Sequence, residues 1–271
     1  MAGLNVRSVL VTGSNRGIGL ELVKQLLGKS NPPQWVFATC RDPEGARGQE
    51  LRNLVSKHPN LVMVKLDAVN PASIEEATWR VEEQLDGSGL NLVINNAGIF
   101  SDVSLATVDS EEMLGAYKTN VVGPMLVGQA FLPLLKKAAQ GSSQKGLSCS
   151  KAAIVNISSV LGSIERVPET FFKPVISYRC SKAALNMLTR CQALSYAEDG
   201  ILCAAVHPGW VQTDMGTQEP PVSLLTSEFP GLLQADLPVD ESVRGILTVL
   251  PTLSEKHSGS FWSWAGETIP W

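Results

Sequence analysis

Seven short, almost uninterrupted apolar runs punctuate the chain, at residues 8–12, 35–39, 61–66, 92–95, 152–157, 201–207 and 260–264. Each has the length of a β-strand, and none alternates apolar with polar as a strand with one wet face would. Both faces of the resulting sheet are therefore expected to be covered. Segments of helical period lie between the runs. Ile18, Leu22, Val23, Leu26 and Leu27 make one apolar stripe. Ile74, Thr78, Val81 and Leu85 make a second, with Asn70 placed as N-cap and Pro71 at the first helical position. Val243, Ile246, Leu247 and Leu250 make a third. Strand and helix in alternation predict right-handed crossovers and a doubly wound α/β architecture, a seven-stranded parallel sheet in one domain spanning residues 1–271.

Three segments are less regular. Residues 178–197 carry Leu185, Leu188, Cys191 and Leu194 three apart with no Gly or Pro, which predicts an amphipathic helix with that row as its apolar face. Residues 109–139 also read as helix. Gly115, Gly123, Pro124, Gly128 and Pro133 lower its propensity and predict a kink or a close backbone approach, with Asn120 inside the irregular part. Residues 140–150, rich in Gly and Ser, read as an exposed loop.

Composition narrows the function. An apolar fraction of 44% suits a large buried core, and a net charge of -4 without a Lys/Arg run argues against a nucleic-acid surface. No run reaches the roughly eighteen apolar residues that mark a membrane span, so a soluble, cytoplasmic chain without a membrane partner is expected. The five cysteines are scattered without C-x-x-C spacing and read as reduced thiols. His58, His207 and His257 lack ligand spacing, and no metal is expected.

The first strand runs into Thr12-Gly13-Ser14-Asn15-Arg16-Gly17-Ile18-Gly19 and then into the first helical stripe. Gly13 suits a tight turn, Gly17 a close approach of backbone to a pyrophosphate, and Gly19 tight helix packing, while the helix N-terminus offers free N–H groups. The spacing is G-x-x-x-G-x-G rather than G-x-G-x-x-G, and its place between strand and amphipathic helix points to a dinucleotide. At the end of the second strand Cys40 stands where an acid would take the ribose of NAD. Arg41 follows it, and Arg16 lies in the glycine loop on the same side. Two guanidiniums there favour NADP. For Asp42 an ion pair with an arginine and a ribose contact stay open. Tyr178 and Lys182, four apart, share a helix face, where an ammonium beside a phenol is expected to lower the phenol pKa from about 10 toward neutrality and make Tyr178 an acid or base.

Taken in order along nearly the whole chain, the glycine loop from Thr12 to Gly19, Asn95-Asn96-Ala97-Gly98, Asn120, Ser159, Tyr178-x-x-x-Lys182 and Pro208-Gly209 followed by Thr213 resemble the short-chain dehydrogenase/reductase family. The run His207-Pro208-Gly209-Trp210-Val211-x-Thr213-Asp214-Met215-Gly216 and the ending at 259–271 resemble its sniffer-type and C-factor-like carbonyl reductases. The resemblance implies an NAD(P)-binding Rossmann domain and an oxidoreductase that uses NADPH, in preference to NADH, to reduce an aldehyde or ketone. It implies Tyr178 as general acid, Lys182 as the group that tunes it and holds the nicotinamide ribose, Ser159 as partner of the substrate oxygen, and Asn120 as holder of a relay water. The cofactor would be held by Gly13, Asn15, Arg16, Gly17, Ile18, Gly19 and Arg41, with Asp67 and Ala68 at the adenine. Asn96, Ala97 and Gly98 would line the ribose, and Pro208, Gly209, Val211 and Thr213 the carboxamide. A homodimer or homotetramer acting on a small-molecule carbonyl compound is implied as well.

Two other readings stay open: an NAD-linked alcohol or hydroxysteroid dehydrogenase, and a dinucleotide-binding regulator with little turnover. Asn95 and Ser158 are expected to serve structure. The sequence departs from the family pattern between Ser159 and Tyr178, which stand farther apart than in many members. The extra residues fall within 164–176, include Phe171 and Phe172, and are expected to reshape the substrate mouth or an assembly surface. Residues 210–238, with Leu224, Leu225, Phe229, Leu232 and Leu233 among prolines, are expected to form a substrate loop.

Overall fold

Seven parallel strands, β1 (Ser8–Val11), β2 (Trp35–Cys40), β3 (Leu61–Lys65), β4 (Leu92–Asn95), β5 (Ala153–Ile157), β6 (Leu202–His207) and β7 (Phe261–Ser263), form one sheet in the order β3-β2-β1-β4-β5-β6-β7. The structure, a computed structural model, describes residues 3–171, 174–216 and 235–271. Phe172, Leu224, Leu225, Phe229, Leu232 and Leu233, and with them most of the expected substrate loop, lie outside the described residues. Each predicted run became a strand, with ends shifted by no more than a residue.

The unbroken apolar character of the strands follows from cover on both faces. Val9, Val11, Val36, Ala38, Ile94, Val155 and Ala204 face one core with helices α1 (Gly17–Leu27) and α8 (Val239–Val249). Their neighbours Leu10, Phe37, Val93, Ile154 and Cys203 face the other, with α3 (Pro71–Leu85) and α5 (Gly123–Gln140). The remaining helices are α2 (Gln49–Val55), α4 (Ser110–Tyr117), α6 (Val167–Thr170) and α7 (Ile176–Ser195). Asn70 caps α3 as expected, its side chain accepting from the Ser73 N–H at 3.2 Å.

The kink expected within 109–139 is a π-helical turn, Lys118–Val122, between α4 and α5. It widens the helix at Asn120 rather than breaking it at a proline, and such turns recur at functional sites. Pro124 follows directly on this turn, in the first turn of α5.

Two expectations are corrected. Residues 140–150 are not simply exposed: Leu147 and Cys149 are buried, and Ser148 bridges to Ser254. The row Leu185, Leu188, Cys191, Leu194 is not the buried face of α7 either, since Leu194 is 70% exposed and Cys191 is exposed. That helix turns Ser181, Lys182, Asn186, Thr189 and Gln192 inward, because the surfaces it meets are themselves polar. Asn156 on β5 donates to Thr189 Oγ1 and Gln192 Oε1, both at 2.9 Å, and Ser158 Oγ donates to Asn186 Oδ1 at 2.6 Å. Among the described residues no helix is long and apolar enough to cross a membrane.

Candidate active site

Because all strands run parallel, the loops that leave their carboxyl ends share one edge, and the strand order reverses between β1 and β4. In open α/β sheets ligands bind in that crevice. The glycine loop leaves β1 here. Gly13 and Gly17 both adopt positive φ, +67° and +52°, a conformation that side chains rarely take. A Cβ on Gly13 would stand 3.0 Å from the Ala97 Cα, and one on Gly17 3.3 Å from the Thr213 methyl, so the loops after β1, β4 and β6 touch through glycine. Gly19 serves packing, since its Cβ would meet the Gly13 carbonyl oxygen at 2.2 Å. Thr12, whose part was not evident from sequence, locks the crevice: its Oγ1 accepts from the N–H groups of Asn96 and Ala97, both at 3.0 Å. The Asn96 side chain donates back to the carbonyls of Thr12 and Gly13.

The N-terminus of α1 carries no side-chain cap and no acidic residue in its first turn. Unsatisfied amides and the positive end of the helix dipole therefore face the crevice, which fits an anionic dinucleotide. Asp67, half-buried after β3, accepts from the Val69 N–H at 3.1 Å, and Ala68 follows it beside Gly123. Asn95 ties β4 to β5 through Asn156 at 2.9 Å, in keeping with a structural part. The basic corner is less simple than the sequence suggested. Arg41 is exposed after β2, but Arg16 pairs with Asp214 at 2.7 Å instead of standing open. Asp42 pairs with the Gly45 N–H at 3.0 Å and so closes its own turn. Pro208 and Gly209 leave β6, and Val211 and Thr213 follow; a bridge between Val211 and Leu237 closes the base of residues 210–238.

The four candidate catalytic side chains come from three elements and meet at the same edge. Ser159 follows β5, Tyr178 and Lys182 stand one turn apart on α7, and Asn120 comes from the π-turn; all four are buried. Lys182 Nζ donates to the Ile157 carbonyl at 2.8 Å and lies 5.5 Å from the centre of the Tyr178 ring. Asn120 is fully engaged by protein, taking the Ile99 N–H on Oδ1 at 2.9 Å and donating from Nδ2 to the Ile99 carbonyl and to Ser181 Oγ. Ser181 in turn donates to the Tyr178 carbonyl at 2.8 Å. A Cβ on Gly98 would fall 3.1 Å from Asn120 Oδ1 and 3.8 Å from Lys182 Nζ, so only glycine leaves room above this cluster.

The electrostatics correct the sequence reading. Burial pushes the Tyr178 phenol up to about 12, opposed by a hydrogen bond with Ser159, and does not leave it near neutrality. Lys182 does not pull it down here, because the ammonium is spent on the Ile157 carbonyl and is itself lowered to about 8 by burial. The phenol therefore keeps its proton at neutral pH. Phe100 packs edge-on against it at 5.0 Å, and Arg179 is buried beside it; neither carried a sequence signal beyond its position.

A doubly wound sheet with a glycine turn at its crevice and a Ser, Tyr and Lys cluster beside it is the architecture of a nucleotide-linked oxidoreductase. The family model described as short chain dehydrogenase matches residues 7–222, and the chain belongs to that family. Among solved structures it is similar to the NADPH-bound carbonyl reductase from chicken fatty liver, at 56% identity and a TM-score of 0.92 over 100% of this chain and 96% of that one. It is also similar to the carbonyl reductase Sniffer of D. melanogaster, at 36% identity and a TM-score of 0.88 over 98% and 100% of the two chains. The C-signal protein of Myxococcus xanthus is 33% identical over 183 residues, 67% of this chain and 93% of its own. The resemblance read from the motifs is borne out.

Proposed function

We propose that the chain is an NADPH-dependent carbonyl reductase that reduces an aldehyde or ketone with Tyr178 as the general acid. The observation that carries the reading is a buried phenol, protonated at neutral pH, beside the Ser159 hydroxyl at the crevice edge. When bound, NADPH supplies the hydride. Gly13, Asn15, Gly17, Ile18 and Gly19 would hold its pyrophosphate, Arg16 and Arg41 its ribose phosphate, and Asp67 and Ala68 its adenine. Asn96, Ala97, Gly98, Tyr178 and Lys182 would surround the nicotinamide ribose, and Pro208, Gly209, Val211 and Thr213 the carboxamide. The similarity to an NADPH-bound carbonyl reductase at 56% identity supports this reading.

Ser159 and Tyr178 would both bond the carbonyl oxygen of the substrate. As negative charge develops there, the phenol proton passes to it. The move is downhill, since an alkoxide is a far stronger base than a phenolate. The Ser159 hydrogen bond would ease the charge on the phenolate left behind, and Lys182, one turn away and bonded to the Ile157 carbonyl, would hold the nicotinamide ribose. A row of exposed apolar residues, Met187 and Leu194 on α7 with Leu114 and Tyr117 on α4, supports a homo-oligomer.

The test is a titration of the purified protein with NADPH and NADH, followed by initial rates against aldehydes, quinones, dicarbonyls and ketosteroids. NADPH is expected to bind at least about tenfold more tightly, with turnover on part of the panel. Tight NADPH binding with no turnover on any compound would point instead to a regulator.

A further inference from the structure

Oxygens of the residues that lengthen the path from Ser159 to Tyr178 converge on one side chain, Arg179. Arg179 is 6% exposed, and its guanidinium reaches three separate places. Nε donates to the Pro174 carbonyl at 3.0 Å, at the foot of α7. Nη1 donates to the Leu161 carbonyl at 3.4 Å, two residues beyond Ser159, and to Thr170 Oγ1 at 3.0 Å. Nη2 donates to the Thr170 carbonyl at the end of α6, and the guanidinium lies 5.6 Å from the centre of the Phe171 ring. Thr170 Oγ1 also donates to the Arg166 carbonyl at 2.9 Å, which closes α6 on itself.

These acceptors are neutral oxygens, and they come from three separate stretches of chain. A planar fork can serve that many acceptors and an ammonium cannot. The re-entry into α7 is fixed as well. Val175 takes a left-handed backbone, φ 30° and ψ 54°, which a β-branched residue adopts only when its surroundings impose it. The Ile176 N–H donates to the Val103 carbonyl at 2.9 Å, and the Arg179 N–H to the Val175 carbonyl at 3.0 Å. The segment so held leaves Ile164 73% and Phe171 50% exposed, apolar surface on the stretch of chain that joins Ser159 to Tyr178.

We propose that Arg179 is a positioning residue that determines specificity: its guanidinium fixes residues 164–171 and the Pro174 carbonyl beside the substrate mouth, and the fit of bulky apolar carbonyl compounds depends on it. The proposal rests on the carbonyl-reductase reading. It is tested with Arg179→Met, Arg179→Lys and Thr170→Val, the last removing one acceptor while keeping the guanidinium. Each is assayed with NADPH against phenanthrenequinone, a broad flat dicarbonyl, and butanal, a small aldehyde. NADPH affinity and backbone deuterium exchange over 161–175 are measured alongside.

In Arg179→Met, KM for phenanthrenequinone should rise about tenfold or more while kcat/KM for butanal and NADPH affinity stay within about threefold. Exchange should quicken over 161–175 alone. Arg179→Lys should fall between, and Thr170→Val should move the same quantities by less. Equal losses on both compounds together with weaker NADPH binding would show a merely structural part and overturn the proposal, as would an unchanged KM and exchange pattern. A wild-type protein that reduces no compound of the whole panel would contradict the carbonyl-reductase reading, whereas one that reduces others but not phenanthrenequinone would overturn the proposal alone.

Discussion

Tyr178 keeps its proton because desolvation outweighs the help its phenolate receives from Ser159. The spacing of Tyr178 and Lys182 was legible in the sequence. The sign of the pKa shift was not, because it depends on burial and on an Ile157 carbonyl from another strand. Arg16 was likewise legible as a cation near the crevice, but its partner Asp214 lies 198 residues away. Removing the Ser159 hydroxyl with Ser159→Ala should lower kcat about a hundredfold or more, with NADPH affinity unchanged, if it donates to the developing oxyanion; a loss under about tenfold would remove it from that part. His207 offers a test away from the chemistry. Burial, helped by Arg166, lowers its pKa from 6.5 to about 4, and its buried Nδ1 has no hydrogen-bond partner among the described residues. Between those pH values the unfolded chain binds the extra proton, so this contribution to stability is present above pH 6.5 and is lost as pH falls toward 4. His207→Gln should flatten the fall by up to about 3 kcal/mol, read as the difference in urea unfolding between the two proteins at pH 7 and pH 4.5. Parallel curves would contradict the assignment.

The strands were readable almost to the residue because apolar runs covered on both faces have no polar interruption to blur their ends. The helices α1, α3 and α8 were readable for a related reason, their stripes facing apolar sheet. The α7 helix was misread because it buries a polar face against Asn156, Ser158 and Asn120, a match that no single-helix pattern contains. The loop at 140–150 hid its buried Leu147 and Cys149 for the same reason: local composition says nothing of what packs on it. The contact between the first turn of α1 and the glycine loop leaves no room for a side chain. Gly19→Ala would bring a methyl to 2.2 Å from the Gly13 oxygen and 2.5 Å from Asn96 Nδ2. Such overpacking should lower stability by about 1–3 kcal/mol and weaken NADPH binding, as measured by urea unfolding and cofactor titration. An unchanged midpoint would mean that the loop yields without strain.

The chain as a unit presents one edge for chemistry and, on α4 and α7, an apolar surface that its own core leaves uncovered. If copies of the chain pair there, Met187→Glu with Leu194→Glu should halve or quarter the mass seen by light scattering while the fold, followed by circular dichroism, persists. A wild-type monomer would refute that pairing. The basic corner gives a second check on the fold as a cofactor holder. Arg41→Ala should weaken NADPH by about tenfold or more and leave NADH within about twofold, and equal losses for both would remove the phosphate contact. The central claim is that Tyr178 supplies the proton in a carbonyl reduction, and it is tested most directly by NADPH oxidation in wild type and Tyr178→Phe on the best compound of the panel. The account predicts that the variant binds NADPH as the wild type does and loses turnover by about a hundredfold or more; turnover near the wild-type rate would contradict it.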